Sequence, residues 1–138
     1  MRAVIIDAGP LTALLNPSDE FHPWARETLR RLSPPLLTSE PVLAEVSHLL
    51  RREGCDADEM FALAERGIIT VGIQFKDERA ALRKLMAHYR DVPMSLADAT
   101  LVRLSELHRN GHVFTLDGDF RIYRRQGNQA IPVLMPEP

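Results

Sequence analysis

Two acidic residues follow apolar runs of the kind that form buried strands. Val4-Ile5-Ile6 is a continuous β-branched run, and Asp7 comes directly after it. A second run, from His112 to Thr115, is followed within two residues by Asp117. Because parallel strands end at the same edge of a sheet and ligands bind beyond that edge, the two carboxylates are predicted to project together.

Two further acids are predicted to lie on helices at incompletely solvated positions. Glu45 follows Val42 by three residues and precedes Leu49 by four, which places it on the border of an apolar helical stripe. Asp98 falls in the first turn of a helix whose neighbouring residues are mostly apolar. A charge at either place needs a partner.

Four carboxylates in one half-buried pocket would repel one another. At about 5 Å and an effective dielectric constant of about 20, each pair costs on the order of 3 kcal/mol. Protonation of some members, or a hard divalent cation such as Mg²⁺ or Mn²⁺, would offset that cost. Such an ion also lowers the pKa of water and stabilises charge on a phosphate under attack, so the pattern indicates metal-dependent phosphodiester hydrolysis.

Each acid also has a structural interpretation. Asp7 suits the N-cap of a following short helix, and Asp98, three residues after Ser95, suits a capping box. Glu45 suits an ion pair with a nearby arginine, and Asp117 begins an Asp-Gly turn. The hypothesis of a common site therefore depends on the joint placement of the acids.

The elements that would position these acids alternate between strands and helices. Apolar runs predict strands over 4–6, 36–38, 68–71 and 112–115, with an edge strand over 131–134. Apolar spacings of three and four predict helices over 11–15, 20–32, between Ser39 and Gly54, 56–64, 76–89 and 95–109. This alternation predicts a single domain over residues 1–138, with a mainly parallel sheet between two layers of helices.

Composition limits the classes of function. The chain has 138 residues, 45% of them hydrophobic and 26% charged, which is typical of one globular domain. Its net charge of −2 provides no overall positive field for nucleic acid. Cys55 is the single cysteine, so an intramolecular disulfide is excluded and a reducing cytoplasm is expected. No apolar stretch reaches the roughly 20 residues that a bilayer span needs, so no membrane association is expected.

At the four acids the sequence closely resembles the PIN-domain family, and within it the VapC-type toxins of prokaryotic toxin–antitoxin pairs. The resemblance spans nearly the whole chain. It rests on the segments VIIDAGPLTALLNPSDEFHPWA, LLTSEPVLAEVSHLLRR, VPMSLADATLV and VFTLDGDFRIYRR.

The resemblance implies a three-layer α/β/α PIN-like fold whose metal site is formed by Asp7, Glu45, Asp98 and Asp117. It also implies RNA cleavage with Mg²⁺ or Mn²⁺, a homodimer, and inhibition by a small cognate antitoxin of the VapB kind. Thr115 is implied as a residue that orients an acid or a water, and Asp119 as a further acid of the last motif. Gly9 departs from the hydroxyl residue that many members carry, which removes one expected hydrogen bond near Asp7.

An RNA substrate would need local positive charge near the acids, because phosphate contacts dominate affinity. The sequence offers Arg121, Arg124 and Arg125 shortly after Asp119. A solvated basic tail is the alternative interpretation of these arginines.

Two other functions are compatible with the same acids. A Mg²⁺-dependent phosphotransfer or phosphatase-type domain also gathers carboxylates at strand ends, but such sites usually have a lysine nearby, and Lys76 and Lys84 both fall on one predicted helix. A non-catalytic PIN-like binding module would not need all four acids.

Overall fold

The computed structural model describes residues 2–137, and its centre is a five-stranded parallel sheet. The strands of this sheet are β1 (Val4–Ile6), β2 (Leu36–Thr38), β3 (Ile69–Val71), β4 (His112–Phe114) and β7 (Val133–Leu134). Their order in the sheet is β3-β2-β1-β4-β7, so the apolar run after Ala3 becomes the central strand. Two short strands, β5 (Arg124–Arg125) and β6 (Gln129–Ala130), form a separate antiparallel ribbon.

Within residues 2–137, six helices flank the sheet, which confirms the expected α/β/α fold. They are α1 (Ala8–Leu15), α2 (His22–Arg30), α3 (Glu40–Arg52), α4 (Asp58–Glu65), α5 (Phe75–His88) and α6 (Leu96–Leu107). Helix α1 packs against α2 and α3, and α6 contacts α3, α5, β1 and β4. The strand residues Val4, Ile5 and Ile6 are all buried, as expected for a strand covered on both faces.

Local sequence signals explain where most elements begin. Helix α1 begins three residues before its predicted start, because Asp7 caps it and Pro10 is tolerated in the first turn. Ser39 caps α3 through a bond from the Val42 N–H, as the sequence predicts. Helix α2 is shorter than predicted, because the Asp19 side chain accepts the Phe21 N–H and forms a turn before the helix.

Two features near the end of the described chain differ in how well the sequence predicts them. The edge strand is confirmed: β7 pairs with β4, and the Pro132 carbonyl accepts the Val113 N–H. The β5–β6 ribbon is not predicted. Its turn contains Gln126 and Gly127 at φ 51° and 89°, and the segment shows no alternating pattern that would indicate a hairpin.

None of the helices within residues 2–137 has both the length and the apolar character needed to cross a bilayer.

Candidate active site

Asp7 is held at the end of β1 by hydrogen bonds to both carboxylate oxygens. Its backbone N–H donates to the Phe114 carbonyl at 2.9 Å, so the residue continues the pairing of β1 with β4. Oδ1 accepts the Ala8 N–H at 2.7 Å, and Oδ2 accepts the Thr115 hydroxyl at 2.7 Å. The N-cap interpretation is therefore correct, and it fixes the carboxylate beside β4.

Asp7 is buried, with 7% of its surface exposed, and this burial governs its ionisation. Loss of hydration raises the pKa of Asp7 from 3.8 to about 6, although the bonds from Thr115 and Ala8 act in the opposite direction. The negative charges of Asp98 and Glu45 raise the pKa further. Asp7 therefore lies within electrostatic range of two of the other predicted site residues.

Asp98 forms the predicted capping box and also faces the site. The Asp98 N–H donates to Ser95 Oγ at 3.0 Å, and the Ser95 N–H donates back to Asp98 Oδ2 at 3.1 Å. The Tyr123 hydroxyl donates to the same oxygen at 3.2 Å. Burial and the charge of Asp98 raise the pKa of Tyr123, so this hydroxyl stays protonated as a donor.

Asp117 begins the short 3-10 helix Gly118–Arg121 that follows β4. Its Oδ1 accepts the Asp119 N–H at 2.9 Å, and its own N–H donates to Thr115 Oγ1 at 2.9 Å. The Thr115 hydroxyl thus contacts both strand-end acids. Asp119 does not line the cavity described below.

Glu45 reaches the site from α3. It is the most exposed of the four acids, yet loss of hydration and the charges of Asp98 and Asp117 raise its pKa. The border position predicted from the helical pattern therefore brings its carboxylate close to the acids of α6 and of the turn after β4.

All four acids line one cavity of about 440 Å³, here called the acid cavity. Its other lining residues are small or apolar: Ala8, Gly9, Leu49, Ser95 and Leu116. Lysine, arginine and histidine are absent from this lining. The acids therefore face one another with no cationic side chain of the cavity wall to balance them.

The predicted arginine patch is not brought to the acid cavity. Arg124 Nη1 donates to the carbonyl oxygens of Arg121, Ile122 and Tyr123 at 2.7, 3.2 and 3.1 Å, so it braces its own turn. Arg125 Nη1 donates to the Ser105 carbonyl at 3.4 Å. None of Arg121, Arg124 and Arg125 lines the cavity.

The donor chemistry of the acid cavity fits a hard divalent cation. Carboxylate oxygens are the ligands that Mg²⁺ and Mn²⁺ prefer. Burial raises the pKa values of Asp7 and Glu45, and the negative charges of neighbouring acids raise them further. Within residues 2–137, no three His, Cys, Asp or Glu side chains already converge on one point where an ion could sit. The carboxylates share a cavity, and binding an ion would require their side chains to adjust.

Of the two side chains that contact Asp98, the sequence predicts one and not the other. The Ser95 contact follows from a recognisable capping pattern. The Tyr123 contact does not, because Tyr123 lies 25 residues away in a segment without periodicity. The tyrosine ring is fully buried against Tyr89 and Phe120, with ring centroids 5.1 and 5.3 Å apart.

The fold and the acids together define a known class of domain. The family model described as PIN domain matches residues 4–126, and the chain belongs to that family. Comparison with curated proteins gives no match. Among solved structures, the chain is similar to VapC20 of Mycobacterium tuberculosis, described as a sarcin-ricin loop cleaving toxin. The TM-score is 0.73 and the identity 24%, over 85% of this chain and 92% of that one. At this identity the likeness establishes the shared fold.

Proposed function

We propose that the chain is a metal-dependent endoribonuclease of the VapC type, the toxin of a type II toxin–antitoxin pair. The observation that carries the proposal is the acid cavity. It is lined by four carboxylates, from the residue after β1, from α3, from α6 and from the turn after β4, and by no cationic side chain. Membership of the PIN family and the fold shared with a toxin described as sarcin-ricin loop cleaving support the same activity.

In this proposal Asp7, Asp98 and Asp117 hold Mg²⁺ or Mn²⁺, and Glu45 either completes the ligand set or orients the attacking water. When bound, the ion supplies Lewis-acid polarisation of the phosphate and makes water more acidic. Thr115 keeps the Asp7 carboxylate in place, and Tyr123 does the same for Asp98. Hydrolysis joins a water oxygen to phosphorus and releases one RNA oxygen, which takes a proton.

The direct test is cleavage of RNA by the purified chain with Mn²⁺, Mg²⁺ or a chelator. Asp7→Asn and Asp98→Asn should each lower the rate by about 100-fold or more, because each removes a charged ligand. Asp91→Asn, at an exposed residue after α5, is the matched control and should cleave at the wild-type rate. Metal-independent cleavage that survives both site substitutions would refute the proposal.

The proposed partners follow from this activity. We expect a homodimer in the cytoplasm and a VapB-like antitoxin that inhibits it. Expression of the chain alone should arrest growth, and co-expression of a neighbouring small open reading frame should relieve the arrest. Sedimentation of the purified chain tests the dimer separately.

The two alternative functions have less support. A phosphotransfer site usually holds the phosphoryl group with a lysine, and neither Lys76 nor Lys84 lines the acid cavity. A non-catalytic module has no need to keep four acids in one cavity. Incubation with a small phosphodonor followed by mass measurement tests the first alternative, and Mn²⁺ calorimetry tests the second.

A further inference from the structure

A second cavity adjoins the acid cavity. Gly9, Leu49 and Leu116 line both cavities, so the two meet along these residues. The second cavity has about 350 Å³, within the range of about 300–1,000 Å³ found for small-ligand sites. It is here called the Thr12 cavity, and its remaining lining residues are Thr12, Asn16, Ser18, Asp19, Phe21, Arg52 and Glu53.

Thr12 gives this cavity an unpaired polar group. The residue is 6% exposed, and its hydroxyl oxygen is buried without a hydrogen-bond partner among residues 2–137. Buried hydroxyl groups are nearly always paired, because a group that has lost water without gaining a partner weakens the folded state. Because Thr12 lines the cavity, a turn of its side chain would let this hydroxyl pair with a ligand there.

Asn16 lies one helical turn beyond Thr12 and lines the same cavity. Its backbone N–H donates to the Thr12 carbonyl at 2.9 Å, and residues four apart share one face of a helix. Its side-chain Oδ1 accepts the Ser18 N–H at 3.0 Å, which leaves the amide nitrogen as a donor. A hydroxyl and an amide one helical turn apart in the same cavity wall can pair with the edge of a nucleobase or with a ribose hydroxyl.

The other lining residues favour the nucleoside part of an RNA chain over its phosphate. Phe21 supplies a half-buried aromatic ring, a surface on which a base stacks. Asp19 and Glu53 bring two negative charges to the lining, against the single positive charge of Arg52. A phosphate would be repelled there, whereas base amino groups and ribose hydroxyls can donate to carboxylates.

We propose that the Thr12 cavity binds one nucleoside of the RNA strand, next to the phosphate at the acid cavity, and thereby selects the base at that position. This inference rests on the proposed ribonuclease function. Thr12 and Asn16 read the nucleoside by hydrogen bonds, and Phe21 contacts the base face.

The test compares wild type, Thr12→Val and Asn16→Ala on a pool of RNA with randomised sequence. Sequencing of the cut ends should show a base preference beside the cut in wild type that falls by about tenfold in each variant. Thr28→Val on α2, outside both cavities, makes the same chemical change as Thr12→Val and should keep the wild-type preference. A chelator removes the metal that cleavage needs. Under that condition, the binding of short RNA oligonucleotides, measured by fluorescence anisotropy, should show the same loss of sequence preference.

The outcomes separate the inference from the function on which it rests. A wild-type chain that neither binds nor cleaves RNA refutes the ribonuclease proposal. Cleavage without base preference, or a preference that both variants retain, overturns the nucleoside site and leaves the ribonuclease intact. A polyarginine peptide that binds wild type but not Thr12→Val, with the cleavage profile unchanged, would assign the cavity to a protein partner instead. Thermal unfolding excludes misfolding, because replacing an unpaired hydroxyl by a methyl group should not destabilise the chain.

Discussion

The Thr115 hydroxyl donates a hydrogen bond of 2.7 Å to Asp7 Oδ2 across 108 positions of sequence. Thr115 Oγ1 also accepts the Asp117 N–H at 2.9 Å, so the threonine side chain joins the acids that follow β1 and β4. Thr115 is fully buried, and its geometry depends on the pairing of the two strands. The positions of the two carboxylates therefore depend on the register in which β1 pairs with β4.

Replacing Thr115 by valine keeps the shape of the side chain and removes this link. The Asp7 carboxylate then loses a donor and the Asp117 N–H loses its acceptor, so the free energy of unfolding should fall by about 1–3 kcal/mol. Affinity for Mn²⁺ should fall by about 10–100-fold, as for other groups that orient metal ligands. Chemical denaturation and calorimetry measure the two effects. Thr70→Val, exposed on β3, is the control, and wild-type Mn²⁺ affinity in Thr115→Val would exclude the orienting role.

The raised pKa of Asp7 predicts how the metal-free protein responds to pH. Between the ordinary value of 3.8 and the folded value of about 6, the folded state binds a proton that the unfolded state has released. The free energy of unfolding should therefore fall as pH rises through this range, by on the order of 3 kcal/mol from this group, and level off above it.

Asp7→Asn isolates this component, because asparagine keeps the N-cap acceptor and does not titrate. The difference in stability between wild type and Asp7→Asn, measured by denaturation in a chelator from pH 4 to pH 8, should follow the predicted decline. A difference that rises with pH over the same range would show that Asp7 is stabilised as a carboxylate, contrary to the effect of burial.

The sequence predicts the four acids better than it predicts the residues that contact them or line the adjoining cavity. Asp7 and Asp98 occupy cap positions that local rules recognise, and the parallel strands then bring Asp7 and Asp117 to one edge. Tyr123 and Thr12 contribute through contacts or cavities formed by segments distant in sequence, and no local period marks them. Arg124 shows the opposite case, because the sequence predicts a basic side chain near the acids. In the structure its Nη1 donates to carbonyl oxygens of its own turn.

Tyr123→Phe tests whether the tyrosine hydroxyl positions Asp98. The substitution leaves the ring in its cluster and removes only the hydroxyl, whose single proton is shared between Asp98 Oδ2 at 3.2 Å and the Pro93 carbonyl at 3.4 Å. Mn²⁺ affinity should fall by about tenfold, and the free energy of unfolding should change by about 1 kcal/mol.

Tyr89→Phe is the matched control for this prediction. The Tyr89 hydroxyl accepts the Arg124 N–H at 2.8 Å, and its ring packs edge-on against Tyr123. This variant should lose stability with little change in Mn²⁺ affinity. Equal losses of Mn²⁺ affinity in the two variants would mean that the aromatic cluster acts on the site only through general stability.

Glu45→Gln decides between the two roles proposed for the helical acid. Glu45 is exposed and approaches Asp98 and Asp117 from α3, whereas Asp7 is almost fully buried. We expect Glu45 to orient the attacking water, so Glu45→Gln should lower the cleavage rate by about 100-fold while Mn²⁺ still stabilises the fold. At a Mn²⁺ concentration of about 100 times the dissociation constant, that stabilisation should be about 2.7 kcal/mol.

Asp98→Asn at the same Mn²⁺ concentration should lose both cleavage and stabilisation. If Glu45→Gln also abolished the stabilisation, Glu45 would be a ligand of the ion.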